Sequence, residues 1–310
     1  MFHSVEIAGM VCPNNVFLAP LAGYTNYPVR AMLSRLGAGL TFTEMVSAKG
    51  LHYGSEETKK LLYCGAESPK AAQIFGSEPA IMREACESEL LAPYDLIDIN
   101  MGCPMRKIIC NGEGSALMEN MPLAEKVISE CVKSGKRISV KFRTGIKKGD
   151  KLAAEFAKRC EGAGACMVTV HGRVRDMIYA GEVDFDELAK VKRSVKIPVI
   201  AIGGIFSRED AERMMNETGA DGVMVARAAL SAPNIFKDIL GEAQEPVLPH
   251  FLRLVDEEEA LCGKQFALVF TRKMAAFLLK GIPGAAEKRK RFFECKTLNE
   301  VKELAEAYLQ

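Results

Sequence analysis

The 310-residue chain has no apolar run approaching the roughly 20 residues that cross a bilayer, and no basic segment followed by an apolar one near its start. A membrane span and a secretory leader are therefore not expected, and the expected setting is the cytoplasm. Net charge is also nearly absent: 41 Lys and Arg against 40 Asp and Glu leave +1. A polyanionic partner would have to be met by a local basic patch rather than by the molecule as a whole. The ten cysteines lack paired metal-ligand spacing. No metal is expected, and in a reducing compartment they should be free thiols. There is no low-complexity segment.

A composition of 48% hydrophobic and 26% charged residues can bury one α/β barrel with a small appendage. Short apolar runs that read as buried strands fall at 16–19, 40–43, 71–75, 96–100, 139–142, 167–170, 199–202 and 222–225. Between them, 28–36, 79–91, 122–134, 152–163, 186–194 and 207–217 space apolar residues as amphipathic helices do. Strand then helix, repeated eight times, predicts a (β/α)8 TIM barrel, with a doubly wound sheet as the competing architecture. From about residue 241 only helical patterns remain, broken near 246–249 and 281–284. The expected division is a barrel at 1–240 and a small all-helical C-terminal domain at 241–310.

The residues that carry chemistry fall at the carboxyl ends of the proposed strands, where barrels bind ligands. The fourth run, Leu96-Ile97-Asp98-Ile99-Asn100, is stopped by Gly102 and Pro104, which leaves Asn100 and Cys103 at its end. After the first run, Pro20, Leu21 and Ala22 precede Gly23, either a tight turn or a surface that a flat ligand can approach closely. Glu44, after the second run, could bind a ligand or cap the next helix. Gln73 could donate to and accept from a heteroaromatic edge. Lys141 lies inside a strand, where lysine is seldom found without a task; it could form a Schiff base or set its cation beside an anionic ring. His171 and Arg173 end the sixth run and could hold a phosphate or an oxygen-rich substrate. Gly203 and Gly204 after the seventh, with Ala226 and Arg227 after the eighth, have the form of a barrel phosphate site. A thiol with a pKa of about 8.5 is mostly protonated at neutral pH, so Cys103 could attack a carbon or donate a proton. No protease-like His or Asp motif lies near it, and with a phosphate site opposite, redox chemistry on flavin mononucleotide fits the set better.

Several motifs together resemble those of the bacterial, FMN-dependent tRNA-dihydrouridine synthase family over nearly the whole chain. They are Leu18-Ala19-Pro20-Leu21-Ala22-Gly23-Tyr24-Thr25-Asn26, Thr43-Glu44-Met45-Val46-Ser47-Ala48, Gln73-Ile74-Phe75-Gly76, Asn100-Met101-Gly102-Cys103-Pro104, Gly114-Ser115-Ala116-Leu117-Met118, Val140-Lys141-Phe142-Arg143-Thr144-Gly145 and Val170-His171-Gly172-Arg173. The resemblance implies reduction of selected tRNA uridines to 5,6-dihydrouridine, with hydride from reduced FMN, a proton from Cys103 and NADPH as the electron source. It further implies that Pro20, Leu21, Ala22, Gln73, Lys141 and His171 surround the flavin, that Asn100 orients the uracil, and that Gly203, Gly204, Ala226 and Arg227 hold the phosphate. The chain departs from the family's usual Asn-Gly-Asp at Ile202-Gly203-Gly204, and from a glycine at Ala226.

Between Lys264 and Lys296 nine basic residues stand against two acidic ones, with Lys288, Arg289, Lys290 and Arg291 consecutive. This run, with Arg173, is the expected contact to RNA, in the segment where the family carries its helical tRNA-binding domain. Three alternatives remain at this stage: a flavin barrel acting on a free pyrimidine or dihydroorotate, an aldolase with Lys141 as Schiff base, and a non-catalytic RNA-binding barrel.

Overall fold

The computed structural model describes residues 1–65 and 67–309. It opens with a hairpin, β1 (Val5–Ile7) and β2 (Met10–Cys12), and then alternates strands and helices. The order is β3 (Val16–Leu18), α1 (Tyr27–Arg35), β4 (Thr41–Ser47), α2 (Ala48–His52), α3 (Glu56–Lys60), β5 (Lys70–Phe75), α4 (Pro79–Glu87), β6 (Leu96–Asn100), α5 (Arg106–Ile109), α6 (Met121–Val132), β7 (Ile138–Arg143), α7 (Ala153–Gly162), β8 (Met167–His171), α8 (Phe185–Ser194), β9 (Val199–Ile202), α9 (Arg208–Thr218) and β10 (Gly222–Val225). Strands β3 to β10 form one parallel sheet in which β4 to β10 pair in sequence order and β10 returns to pair with β3. Leu18 N donating to Leu40 O (2.9 Å) and Gly39 N to Val16 O (2.9 Å) close the ring. The expected (β/α)8 barrel is the fold, and all eight expected runs are its strands.

Alternation along the strands separates two cores. In β3, Val16 and Leu18 face the helices while Phe17 faces the axis; in β10, Val223 and Val225 face out and Met224 faces in. The inner cluster joins Phe17, Phe42, Ala71, Leu96, Met167, Ile200 and Met224 to Ile7, Met10 and Cys12 of the hairpin. The hairpin therefore plugs the amino-terminal end of the barrel with apolar side chains. It was not among the sequence expectations, because two three-residue strands are too short for a period to register.

Two boundaries differ from the sequence reading in a way that bears on the site. The second barrel strand runs on to Ser47, with an irregularity between Phe42 and Met45. Glu44 thus sits within a bulged strand and caps no helix; Ser47 is the N-cap of α2, accepting from Gly50 N at 3.1 Å. The segment 79–91 divides into α4 and a short 3-10 turn at Glu89–Leu91.

Beyond β10 come α10 (Ala228–Ser231), α11 (Ile235–Leu240), α12 (Val247–Cys262), α13 (Lys264–Leu278), α14 (Ala285–Glu294) and α15 (Leu298–Tyr308). Gly241 ends α11 in the left-handed region (φ +75°), and Gly263 (φ +80°) turns α12 into α13. Phe251, Leu254, Met274 and Phe292 of these helices belong to the same continuous apolar cluster as the outer faces of the barrel strands. Asn26 Nδ2 also donates to Glu258 Oε1 at 2.6 Å, and Arg35 pairs with Glu257 at 3.4 Å. The C-terminal helices are thus seated firmly on the barrel's flank.

Candidate active site at the barrel mouth

The strand period that sends Ile97, Ile99, Val140 and Val170 outward sends their neighbours toward the axis. Near the carboxyl ends that inward set is polar. Across the ladder Gln73 lies beside Asp98, Asp98 beside Ser139, Asn100 beside Lys141, and Arg143 beside His171. Gln73, Asn100, Lys141 and His171 were expected here from sequence. Asp98, Ser139 and Arg143 were not among the expected site residues, although each stands two residues from one of them and so shares its face.

Asp98 is fully buried, and its two oxygens accept from Gln73 Nε2 (2.7 Å) and Ser139 Oγ (2.6 Å). Gln73 Oε1 accepts from Asn100 Nδ2 at 2.8 Å, and Asn100 Oδ1 accepts from Gly102 N (3.1 Å) and Cys103 N (2.9 Å). Asn100 therefore shapes the Cys103 loop with its oxygen. Arg143 Nε donates to Gly102 O at 2.9 Å, and its Nη1 donates to Val174 O (3.1 Å) and Ile178 O (2.9 Å), tying this loop to the one after β8. Ser115 Oγ donates to Cys103 O at 2.8 Å. Gly114 stands close behind the cysteine: its φ is +59°, and a Cβ there would come within 3.1 Å of Cys103 Cβ.

Burial pushes the Cys103 thiol above its ordinary pKa, more than the nearby Met105 amide and the Arg143 and Lys141 cations pull it down. The thiol is protonated at neutral pH, which suits a donor better than a nucleophile. Burial, reinforced by the Arg143 charge, brings Lys141 down to about 8. Burial together with Arg143, Lys141, Arg173 and Arg227 pushes His171 down to about 2, so its ring is neutral. Arg173 Nη1 lies 3.5 Å from His171 Nε2, and since a guanidinium only donates, Nε2 accepts and Nδ1 carries the proton.

None of Lys141, Arg143, Arg173 and Arg227 has a carboxylate within ion-pair distance among the described residues; Arg227 instead lies over the Tyr179 ring at 4.7 Å. Several unneutralised cations around one mouth call for an anionic ligand. Gly203 (φ +141°) leaves backbone bare beside them, for a Cβ would stand 3.3 Å from both Arg173 Nη1 and His171 Cδ2. Ala19 N donating to Val225 O (2.8 Å) sets Pro20 level with Ala226 and Arg227. On these grounds the residues present fit FMN, whose phosphate and reduced ring are both anionic.

Pro20, Leu21 and Ala22 lead into Gly23, whose N–H donates to Glu44 and whose carbonyl accepts from Lys273 Nζ of α13 at 2.6 Å. Lys273 also lies 4.2 Å from the Tyr24 ring centre. Gly23, Glu44 and Lys273 line a cavity of about 510 Å³ between the mouth and the C-terminal helices, together with Phe266, Phe270 and Phe293.

The consecutive cations of α14 do not form one patch, because each residue turns about 100° from the last. Lys288 lies over the Tyr308 ring (5.1 Å), Arg289 Nε donates to Ala276 O (2.9 Å), and Arg291 bonds the Tyr308 hydroxyl. Lys290 is exposed and stands three residues before Phe293, on the helix face that meets the cavity.

A parallel barrel whose mouth joins a protonated thiol to uncompensated cations defines an enzyme acting on, or through, an anionic ligand. The sequence profile described as "Dihydrouridine synthase (Dus)" matches residues 17–310. A "tRNA-dihydrouridine synthase B" of Pseudomonas aeruginosa is 33% identical over 304 residues, covering 93% of this chain and 90% of the relative. A "Probable tRNA-dihydrouridine synthase 1" of Synechocystis sp. is 34% identical over 311 residues, covering 97% and 88%. The chain belongs to the dihydrouridine synthase family. Solved barrels share the fold: the crystal structure of "TcOYE with pHBA" aligns with a TM-score of 0.59 at 12% identity, covering 78% of this chain and 93% of that one. An "old yellow enzyme homologue from zymomonas mobilis" gives 0.55 at 11% identity, covering 80% and 94%. No helix is long and apolar enough to cross a membrane, and no group of three or more His, Cys, Asp or Glu is placed to hold a metal among the described residues.

Proposed function

We propose that this enzyme reduces uridines in tRNA to 5,6-dihydrouridine in the cytoplasm and that Cys103 is its proton donor. The observation that carries the reading is the placement of Cys103 at the mouth, its backbone N–H held by Asn100 Oδ1 at 2.9 Å and its side chain buried, which keeps the thiol protonated near the Lys141 and Arg143 charges. FMN, reduced by NADPH, supplies hydride to one carbon of the uracil double bond when bound. Cys103 Sγ–H gives its proton to the neighbouring carbon, and the two nearby cations stabilise the thiolate left behind. Lys141 and the neutral His171, with Gln73, would hold the flavin ring, and Pro20, Leu21 and Ala22 would pack against it. Gly203, Gly204, Ala226 and Arg227 would hold its phosphate, aided by the Arg173 charge beside them. Beyond its bond to Gln73, Asn100 Nδ2 makes only a 3.9 Å contact to the weakly accepting Met45 sulfur, which a uracil oxygen would displace. The helices after residue 240 supply the tRNA-binding surface; of the basic run Lys288, Arg289, Lys290 and Arg291, the exposed Lys290 is the cation best placed to meet a phosphate. The uracil must leave its stack to enter the mouth.

The test combines flavin absorbance with mass spectrometry of tRNA incubated with the enzyme and NADPH. Cys103→Ala should keep its yellow colour and its tRNA affinity but lose dihydrouridine formation by about 100-fold or more, the size of a lost general acid. Full activity in that variant would remove the thiol from the reaction.

A further inference from the structure

We propose that Asp98 is a positioning residue for Cys103, acting through a one-way chain of amides that runs from its carboxylate through Gln73 and Asn100 to the backbone N–H of Cys103. The inference rests on the reading of Cys103 as proton donor.

Chemistry sets the direction of the chain at both ends. A carboxylate offers only acceptors, so Gln73 must present Nε2–H to Asp98 (2.7 Å). That leaves Gln73 Oε1 for Asn100 Nδ2 (2.8 Å), and Asn100 Oδ1 for the amides of Gly102 and Cys103, which only donate (3.1 and 2.9 Å). Neither amide can flip without setting donor against donor or acceptor against acceptor. The second carboxylate oxygen takes the Ser139 hydroxyl at 2.6 Å, which fixes the plane of the group. Asp98 is buried two residues below Asn100 on the inward face of β6, so it needs no ligand contact to act. Burial holds its pKa up at about 6, which leaves it ionised at neutral pH. Without an acceptor at position 98, Gln73 is free to turn, and the loop carrying the thiol loses its reference.

The experiment compares Asp98→Ala with Asp98→Asn. Asparagine can still accept from Gln73 through Oδ1 and donate to the Ser139 hydroxyl, so it preserves the frame without the charge. Two quantities are read in the full-length holoenzyme: turnover on tRNA, and the alkylation rate of Cys103 by iodoacetamide, followed on its own peptide by mass spectrometry. Asp98→Ala should lower turnover by about 10- to 100-fold, the cost of a reacting group displaced by about 1 Å, and should change Cys103 alkylation by about threefold or more. Asp98→Asn should stay within about threefold of the parent in both. If Asp98→Ala does not fold, Asp98→Leu fills the volume without an acceptor and takes its place. Equal losses in the Ala and Asn variants, or parental behaviour of the Ala variant in both readouts, would overturn the proposal. Cys103→Ala is run alongside. Full activity there overturns the proton-donor reading and this inference with it, whereas lost activity there combined with a parental Asp98→Ala overturns this inference alone.

Discussion

Around Cys103, side chains act mainly through what they lack. The cations Lys141, Arg143, Arg173 and Arg227 have no carboxylate within ion-pair distance among the described residues, and burial together with their company keeps the His171 ring neutral. Lys141 carries a pH signature. Its folded pKa of about 8 lies below the ordinary 10.5, so its cation is present below pH 8 and is lost as pH rises through that value. An anionic flavin should therefore bind progressively more weakly above about pH 8, by at most about tenfold per pH unit, with bound flavin shifting the step upward. Fluorescence titration of FMN between pH 7 and 9.5 measures this, and Lys141→Met should flatten the curve.

At the scale of elements, the eight strands were legible because each is a short apolar run bounded by turn residues. The inward residues were legible only where their chemistry stood out. Lys141 and His171 are conspicuous in a strand, whereas Asp98 and Ser139 matter through partners on β5 and β6 that no local window contains. The contact between Lys273 and Gly23 spans 250 positions and was likewise invisible. The basic run of α14 reads differently in three dimensions, since adjacency in sequence is not adjacency on a helix. Arg289 serves the fold through the Ala276 carbonyl, while Lys290 faces solvent near Phe293. Lys290→Glu should thus weaken tRNA binding with thermal stability unchanged, and loss of one phosphate contact should lower the slope of log affinity against log salt by about one. Arg289→Ala should lower the melting temperature, as expected for a lost hydrogen bond to a charged donor worth about 1.5–3 kcal/mol. Filter binding across a salt series and thermal melts separate the two.

For the whole molecule, the sequence suggested two domains with a boundary near residue 240. The apolar cluster that runs from the barrel's flank through Phe251, Leu254 and Phe292 argues for one cooperative body. Deleting residues 241–310 should bare the flank that α12 and α13 cover, giving an aggregating barrel rather than a soluble one. Size-exclusion chromatography of the truncated chain checks this, and calorimetry of the intact protein should record a single transition.

The hairpin at the far end of the barrel has a consequence for timing. With Ile7, Met10 and Cys12 packed against the inner core, the barrel has an apolar floor at the end away from the mouth where Cys103 stands. On the proposal that Cys103 is the proton donor, an RNA docked over that mouth would stand between the spent thiolate and solvent. One proton per docking is then expected, and a tRNA with two target uridines should release before the second is reduced.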